Sequence, residues 1–473
     1  MMNAPAMDRT FAGRIGVARR DITPPPGIHS RNWGAATHTA AEGIHRPLTA
    51  TVLSIRAGES PPLILVAIDL GWFKSPSTEW ILRGEVLNGL SIDSSRVMIC
   101  LSHTHAGPSL FLDECDEAGG ALIEPYIRGL GPLILDAARE ATHQAKPAFL
   151  DWKYGLCDLA TNRDMRDPID PDKFVVGFNP SIPSDSTLLV GRITCRESLR
   201  TIATIVNYAC HPTTLAWDNR LISPDYVGAM RQTVETETQA PCLFLQGASG
   251  DLAPAAQYVG DTTVADRNGA MLGYAVLATL SGMRPAGQSL HFDRVVESGA
   301  RLGVWTDHPS QIDSTVEAIE ARIALATKPQ PSPAEISEKL ARCTDPAMRE
   351  RLRRQMQLVQ FMGKGAACEM PLWAWRIGNA LLFGHPNEAY SQWQIALRQR
   401  WPDHFVAAIN LVNGSGGYLV PGEKCHPHLY SSWQSPFLPE AYSIFQNQSM
   451  TTGDALVGSK KPSADQRPSG THS

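Results

Sequence analysis

The sequence predicts an α/β protein built of mixed β-sheets flanked by helices, with one helical insertion. Three observations carry that expectation. From Ile15 to Leu411, short β-rich runs alternate with segments of helical period. Hydrophobic residues make up 43% and charged residues 19%, the balance of an ordinary globular chain with a sizeable core. The 473 residues amount to about three lengths of ~150 residues, yet they also suit a single large α/β unit.

Taken in order, strands are expected at 49–55, 63–69, 96–101, 188–194, 201–208, 242–246, 372–377, 380–384 and 405–411. Helices are expected at 77–87, 124–144, 225–237, 263–280, 310–326, 332–364 with a break near Asp345-Pro346, and 388–400. The stretch 309–365 is rich in Glu, Arg, Gln and Ala and reads as a helical hairpin with a solvated face, inserted between two sheet-forming regions. Residues 12–457 are expected to form one domain. The tail 458–473 combines Lys, Pro, Ser, Gly and Thr without an apolar period, which predicts disorder. No internal repeat at a period of ~20–50 residues is visible.

Charge narrows the function. Lys and Arg number 42 against 47 Asp and Glu, a net charge of −5 that argues against nucleic-acid binding. No apolar run is long enough to span a bilayer, and Met1 to Arg20 lack the apolar core of a secretory signal, so a cytoplasmic location is expected. The nine cysteines form no Cys-x-x-Cys pair and sit mostly in apolar stretches, as packing residues do.

The sharpest motif is Ser102-His103-Thr104-His105-Ala106-Gly107-Pro108, directly after an apolar run. If the strand continues, residues two apart share a face, so His103 and His105 reach one site at its C-terminal edge, where open α/β sheets bind ligands. A His-x-His alone reads equally as an ordinary turn. His211, in Cys210-His211-Pro212, also ends an apolar strand, and the strand 380–384 leads through His385-Pro386-Asn387 to Glu388. Glu388 at a helix start could serve only the helix dipole. Three strand ends delivering His103, His211 and Glu388 instead suggest a catalytic zinc set, two imidazoles and a carboxylate with an open position for water. Gln246-Gly247-Ala248-Ser249-Gly250-Asp251 follows another buried strand and is expected to be a site loop supplying N–H donors, with Ser249 a packing residue. Gly-x-Ser-x-Gly and both glycine-rich phosphate motifs are absent, which weakens an α/β-hydrolase reading and leaves a nucleotide-phosphate cradle without support.

In order, these pieces resemble the neutral/alkaline non-lysosomal ceramidases. The resemblance runs from Ile15-Gly16-Val17-Ala18-Arg19-Arg20-Asp21-Ile22-Thr23-Pro24 through Gly43-Ile44-His45, the His103 motif, Thr161-Asn162-Arg163, His211-Pro212-Thr213, Gly250-Asp251 and Pro386-Asn387-Glu388. It ends on Gly417-Tyr418-Leu419-Val420, and it covers about Ile15 to Tyr442. It implies a ceramidase-like catalytic domain with zinc ligands His103, His211, Glu388 and Tyr418. It further implies His105 as general base and Arg163 as an oxyanion stabiliser, joined by Tyr430, twelve positions beyond Tyr418.

The chain departs from that family at three points. Ala253 stands where the family has serine, and after Tyr442 only about thirty residues remain, short of the ~100 of the family's immunoglobulin-like domain. The export signal usual in the family is not visible. The expected activity is therefore zinc-dependent cleavage of a carboxamide in a small N-acyl or lipid-like substrate, with a soluble N-acyl amine or N-acyl amino-acid-like amide preferred to long-chain ceramide. An esterase or lactonase on the same metal, and a catalytically silent ligand-binding relative, are the alternatives. The irregular strand and helix order argues against an amidohydrolase barrel.

Overall fold

The computed structural model describes residues 9–363 and 365–458. Apolar alternation decides its layers. In Val97–Leu101, Val97, Ile99 and Leu101 enter one core while Met98 and Cys100 enter another. Leu63–Ile68 divides the same way, Ile64, Val66 and Ile68 against Leu63, Leu65 and Ala67. Strands apolar on both faces need a packed layer on each side.

Both belong to a nine-stranded sheet whose order is Cys242–Gln246, Thr201–Tyr208, Thr187–Cys195, Lys146–Leu156, Arg9–Asp21, Thr49–Arg56, Leu63–Ile68 and Val97–Leu101, with Gln311–Asp313 added beside Arg9–Asp21. The two outermost pairs are parallel and the pairs between them antiparallel. Parallel neighbours need a crossover, and helices supply it. Helix α1 (Pro76–Leu90) joins the pair at one end, starting at Pro76 with Ser75 accepting from the Thr78 N–H. With α2 (Ile123–His143) it covers one half of the outer face. At the other end α3 (Tyr226–Thr238) is the crossover, and it covers the second half together with α4 (Thr262–Ser281).

A second sheet, in the order Val316–Ala326, Ala367–Ile377, Ala380–Gly384 and Phe405–Ile409, packs on the inner face of the first. Trp373, Trp375, Ile377 and Leu382 meet Met98, Leu150, Ile193 and Leu245 between the sheets. Between its first two strands lie α5 (Pro333–Arg342), opened by a Ser332/Glu335 capping box, and α6 (Pro346–Met362). Helix α7 (Ser391–Arg400) crosses over between the parallel strands Ala380–Gly384 and Phe405–Ile409. After the short α8 (Tyr430–Gln434), α9 (Ala441–Gly458) packs with α7 on the outer face. The result is a helix–sheet–sheet–helix sandwich, the mixed α/β class expected from the sequence.

Several elements differ from expectation. Residues 310–326 are not helical: Val316–Ala326 pairs antiparallel with Ala367–Ile377 along its whole length, and Gln311–Asp313 runs parallel to Arg9–Asp21. Ala, Glu and Arg favour helix locally, but Ile319, Ala321, Ile323 and Leu325 recur at period two and face one core, so the available partner strand wins. The helical insertion expected over 309–365 therefore shrinks to α5 and α6. Glu388 does not open a helix; Glu388–Ala389 is a short strand parallel to Tyr418–Leu419. The long strands Arg9–Asp21 and Lys146–Leu156, the ribbon Gln288–Glu297 with Arg301–Pro309, and α9 were not anticipated. Of the tail 458–473, Gly458 ends α9 and the rest lies outside the described residues. Among the described residues no helix is long and apolar enough to cross a membrane.

Candidate metal centre

The ends of three strands converge. The Val97–Leu101 strand stops at Leu101, and Ser102 and His103 donate their N–H groups to the carbonyls of Ile68 and Leu70. His103 then takes a left-handed backbone, φ 68°. That conformation is costly for a residue with a side chain and must be held by its surroundings. His103 and His105 therefore share the site through this turn, not through strand alternation. His211 follows Thr201–Tyr208, and Glu388 follows Ala380–Gly384.

Second contacts fix each imidazole. His103 Nδ1 lies 3.1 Å from the Gly71 carbonyl oxygen, and His211 Nδ1 lies 2.6 Å from that of Ser249 and 3.2 Å from that of Leu252. A ring whose Nδ1–H donates to a carbonyl presents Nε2 as a lone-pair donor, the tautomer that ligates metals. Glu388 Oε2 is 2.9 Å from His211 Nε2 and 3.4 Å from His103 Nε2. One ligand atom from each of His103, His211 and Glu388 lies within 4.8 Å of the others. Burial pushes the His211 pKa down to about 4, assisted by Arg163. Burial raises the Glu388 carboxyl, but the charges and hydrogen bonds of His103 and His211 outweigh it and hold the pKa well below the usual carboxylate range. Two imidazoles that turn Nε2 inward and one carboxylate are the donor set a divalent transition metal takes, so these residues fit zinc.

Tyr418 arrives through the short parallel ladder that pairs it with Glu388. Burial pushes its phenol well above the ordinary value. Arg163 opposes this from behind, with Nη2 donating to the Tyr418 hydroxyl at 2.9 Å and to the Gly250 carbonyl at 2.8 Å. A buried guanidinium on the phenol oxygen favours its anion, which suits an oxygen ligand. Arg163 thus reaches the centre through Tyr418. Gly417 has φ +74°, and a Cβ there would meet Leu358 of α6 at 2.8 Å and the Gln434 carbonyl at 2.9 Å.

His105 sits beside the three converging groups, its Nε2 3.4 Å from His103 Nε2. Its ring lies between Trp33 and Trp72, 5.0 Å from each, and its Nδ1 is buried with no partner among the described residues. Burial, reinforced by His103, His211 and Arg354, lowers its pKa well below the usual value and leaves a neutral ring. Tyr430 lines the same cavity as His103, His105, Glu388 and Tyr418, with its ring 5.8 Å from that of Tyr418. All seven residues singled out from the sequence are therefore drawn to one region.

Other residues were missed. The loop after Cys242–Gln246 supplies carbonyl acceptors to His211 and Arg163, where N–H donors were expected. Ser249 gives its carbonyl to His211 while its hydroxyl accepts from Gln246, so it does pack. Ala253 is buried in the ladder with Ala160–Asn162 and does not line the cavity. Trp72 and, from α6, Arg354 and Leu358 do line it. Trp72 lies just past a strand end, the signal that marked the histidines. Arg354 lies in a charged stretch whose pattern is that of any solvated helix.

No family model matches the chain, and no curated protein sequence matches it. Among solved structures, the neutral ceramidase from Pseudomonas aeruginosa superposes with a TM-score of 0.65 at 16% identity, covering 94% of this chain and 74% of that one. A ceramidase complexed with C2 superposes with a TM-score of 0.64 at 16% identity, covering 95% and 76%. At this identity the likeness speaks for architecture, and it extends over nearly the whole of this chain: the chain has the neutral ceramidase fold.

Proposed function

We propose that the protein is a metal-dependent hydrolase cleaving the carboxamide bond of an N-acyl substrate, with Zn²⁺ held by His103, His211, Glu388 and Tyr418. The observation that carries this reading is the convergence of His103, His211 and Glu388 within 4.8 Å beside a cavity, with both Nδ1 atoms already engaged. The neutral ceramidase fold supports amide hydrolysis as the chemistry. Bound zinc supplies Lewis acidity, lowering the pKa of a water towards ~7 and polarising a carbonyl.

The chain's own residues do the rest. His105, neutral and next to the ligand cluster, accepts the proton of the attacking water and returns it to the departing amine nitrogen. Tyr430 donates its hydroxyl hydrogen to the carbonyl oxygen as negative charge develops there. Arg163 positions the Tyr418 oxygen by donating to it from behind. Trp33 and Trp72 keep bulk water from the His105 ring.

Metal analysis of the purified protein, followed by chelation and assay on matched N-acyl amides and esters, tests the reading. Stoichiometric zinc, with amide turnover lost on chelation and restored by zinc, is the expected result. Turnover of esters alone would assign an esterase or lactonase to the same site. Full activity without a transition metal would overturn the proposal.

A further inference from the structure

The cavity beside the metal centre carries a guanidinium that the hydrolytic reading does not use. Arg354 projects from α6 and lines the cavity with His105, Glu388 and Tyr430. Three contacts fix its orientation. Nε donates to Glu350 Oε1 at 2.8 Å one helical turn back, Nη1 to the Tyr430 hydroxyl, and Nη2 to the Asn32 carbonyl at 3.2 Å. Glu350 therefore occupies the Nε side only. The edge formed by Nη1 and Nη2 meets a phenol oxygen and a backbone carbonyl oxygen, and each of these nitrogens carries a second N–H that no described protein atom takes.

These two remaining N–H groups are charge-assisted donors for a carboxylate. The other lining charges are committed: Lys74 is bonded to Ser109 and Glu114, and Glu388 belongs to the ligand cluster. Because Arg354 touches Tyr430, a group bound to it lies close to the carbonyl that Tyr430 is assigned to polarise. Trp72, Phe73 and Leu358 add apolar wall to the same cavity. A cavity with an apolar wall and a guanidinium with two spare N–H groups selects a substrate that is apolar at one end and anionic near the reacting bond.

We propose that Arg354 is a specificity-determining residue, and that the substrate is an amide carrying a carboxylate within a few bonds of the scissile carbonyl. The proposal rests on the amidase reading above. The carboxylate can stand on the amine side, as in an N-acyl amino acid, or on the acyl side, as in a monoamide of a short dicarboxylic acid. Arg354 binds either through the same edge. A neutral ceramide-like head leaves that edge unpaired and is selected against.

Kinetics on the zinc-loaded protein decide it. N-decanoylglycine is compared with N-decanoylethanolamine, and N-hexylsuccinamic acid with its methyl ester. The wild-type protein is expected to prefer at least one carboxylate member by about tenfold or more in kcat/KM, and Arg354→Met to bring that ratio near one. Arg354→Lys keeps the charge without the two N–H groups and retains part of the preference. Tyr430→Phe removes the partner of Arg354 but not its charge, so it lowers both members of a pair alike. Equal turnover of both members by the wild type, or a preference unchanged in Arg354→Met, overturns the proposal. If the wild type cleaves none of the four, the amidase reading fails, and calorimetric binding of the same pairs then judges Arg354. Tighter binding of a carboxylate member that Arg354→Met abolishes supports its role, and equal affinities overturn it.

Discussion

At the residue scale, His103, His105 and His211 have side chains of one kind in two different settings. His103 and His211 each give Nδ1 to a backbone carbonyl and turn Nε2 inward, whereas His105 Nδ1 has no partner among the described residues and the ring is held by two indoles. A ligand and a base fail differently when removed. His211→Ala is expected to lose both metal and activity. His105→Ala should keep near-normal metal content while kcat falls ~10²–10⁴-fold. Metal analysis beside steady-state kinetics separates the two, and an emptied site in His105→Ala would make His105 a ligand. The strand ends made these histidines legible in the sequence. Arg354 was not legible, because its role depends on what α6 packs against.

At the element scale, Val316–Ala326 shows where local preference yields. Its composition favours helix, yet Ile323 and Leu325 are buried while their neighbours Arg322 and Ala324 are exposed. Only a strand alternates in this way. Leu325→Ala should cost ~2–5 kcal/mol of stability through the cavity it leaves, and Ala324→Val should be nearly neutral. Urea unfolding of the two variants checks this, and comparable losses would place both side chains in the core. Helices α5 and α6 were legible from their caps, Ser332 and Asp345, which accept from Glu335 and Met348 N–H groups. Their packing was not. Leu358 closes on Gly417 and Phe361 on Gly416, contacts possible because those loop positions have no side chain.

At the scale of the whole molecule, the contact between the two sheets carries the geometry of the site. His103 and His211 come from strands of the first sheet, and Glu388 from a strand end of the second. A shift between the sheets would pull the carboxylate from the imidazoles. Trp375 is fully buried in that interface, with its indole N–H donating to the Ser95 carbonyl at 2.6 Å. Trp375→Ala is expected to cost ~3–5 kcal/mol. Because the void lies between the sheets, zinc affinity should fall as well. Thermal melts with and without chelator read both effects, and a variant that melts early yet binds zinc normally would uncouple the interface from the centre.

The sequence by itself determined the strand-end histidines, the capped helices and the α/β class, because period and end signals act over a few neighbouring residues. Only the tertiary structure decided that 316–326 is a strand, that Glu388 pairs with Tyr418, and that Arg354 enters the cavity. Each of these depends on a partner remote in the chain: Ala367–Ile377 for the strand, the Tyr418 loop for Glu388, and Tyr430 and Asn32 for Arg354. Burial against a remote partner outweighs local propensities of less than about 1 kcal/mol per residue, and a local pattern carries no record of which partner that is.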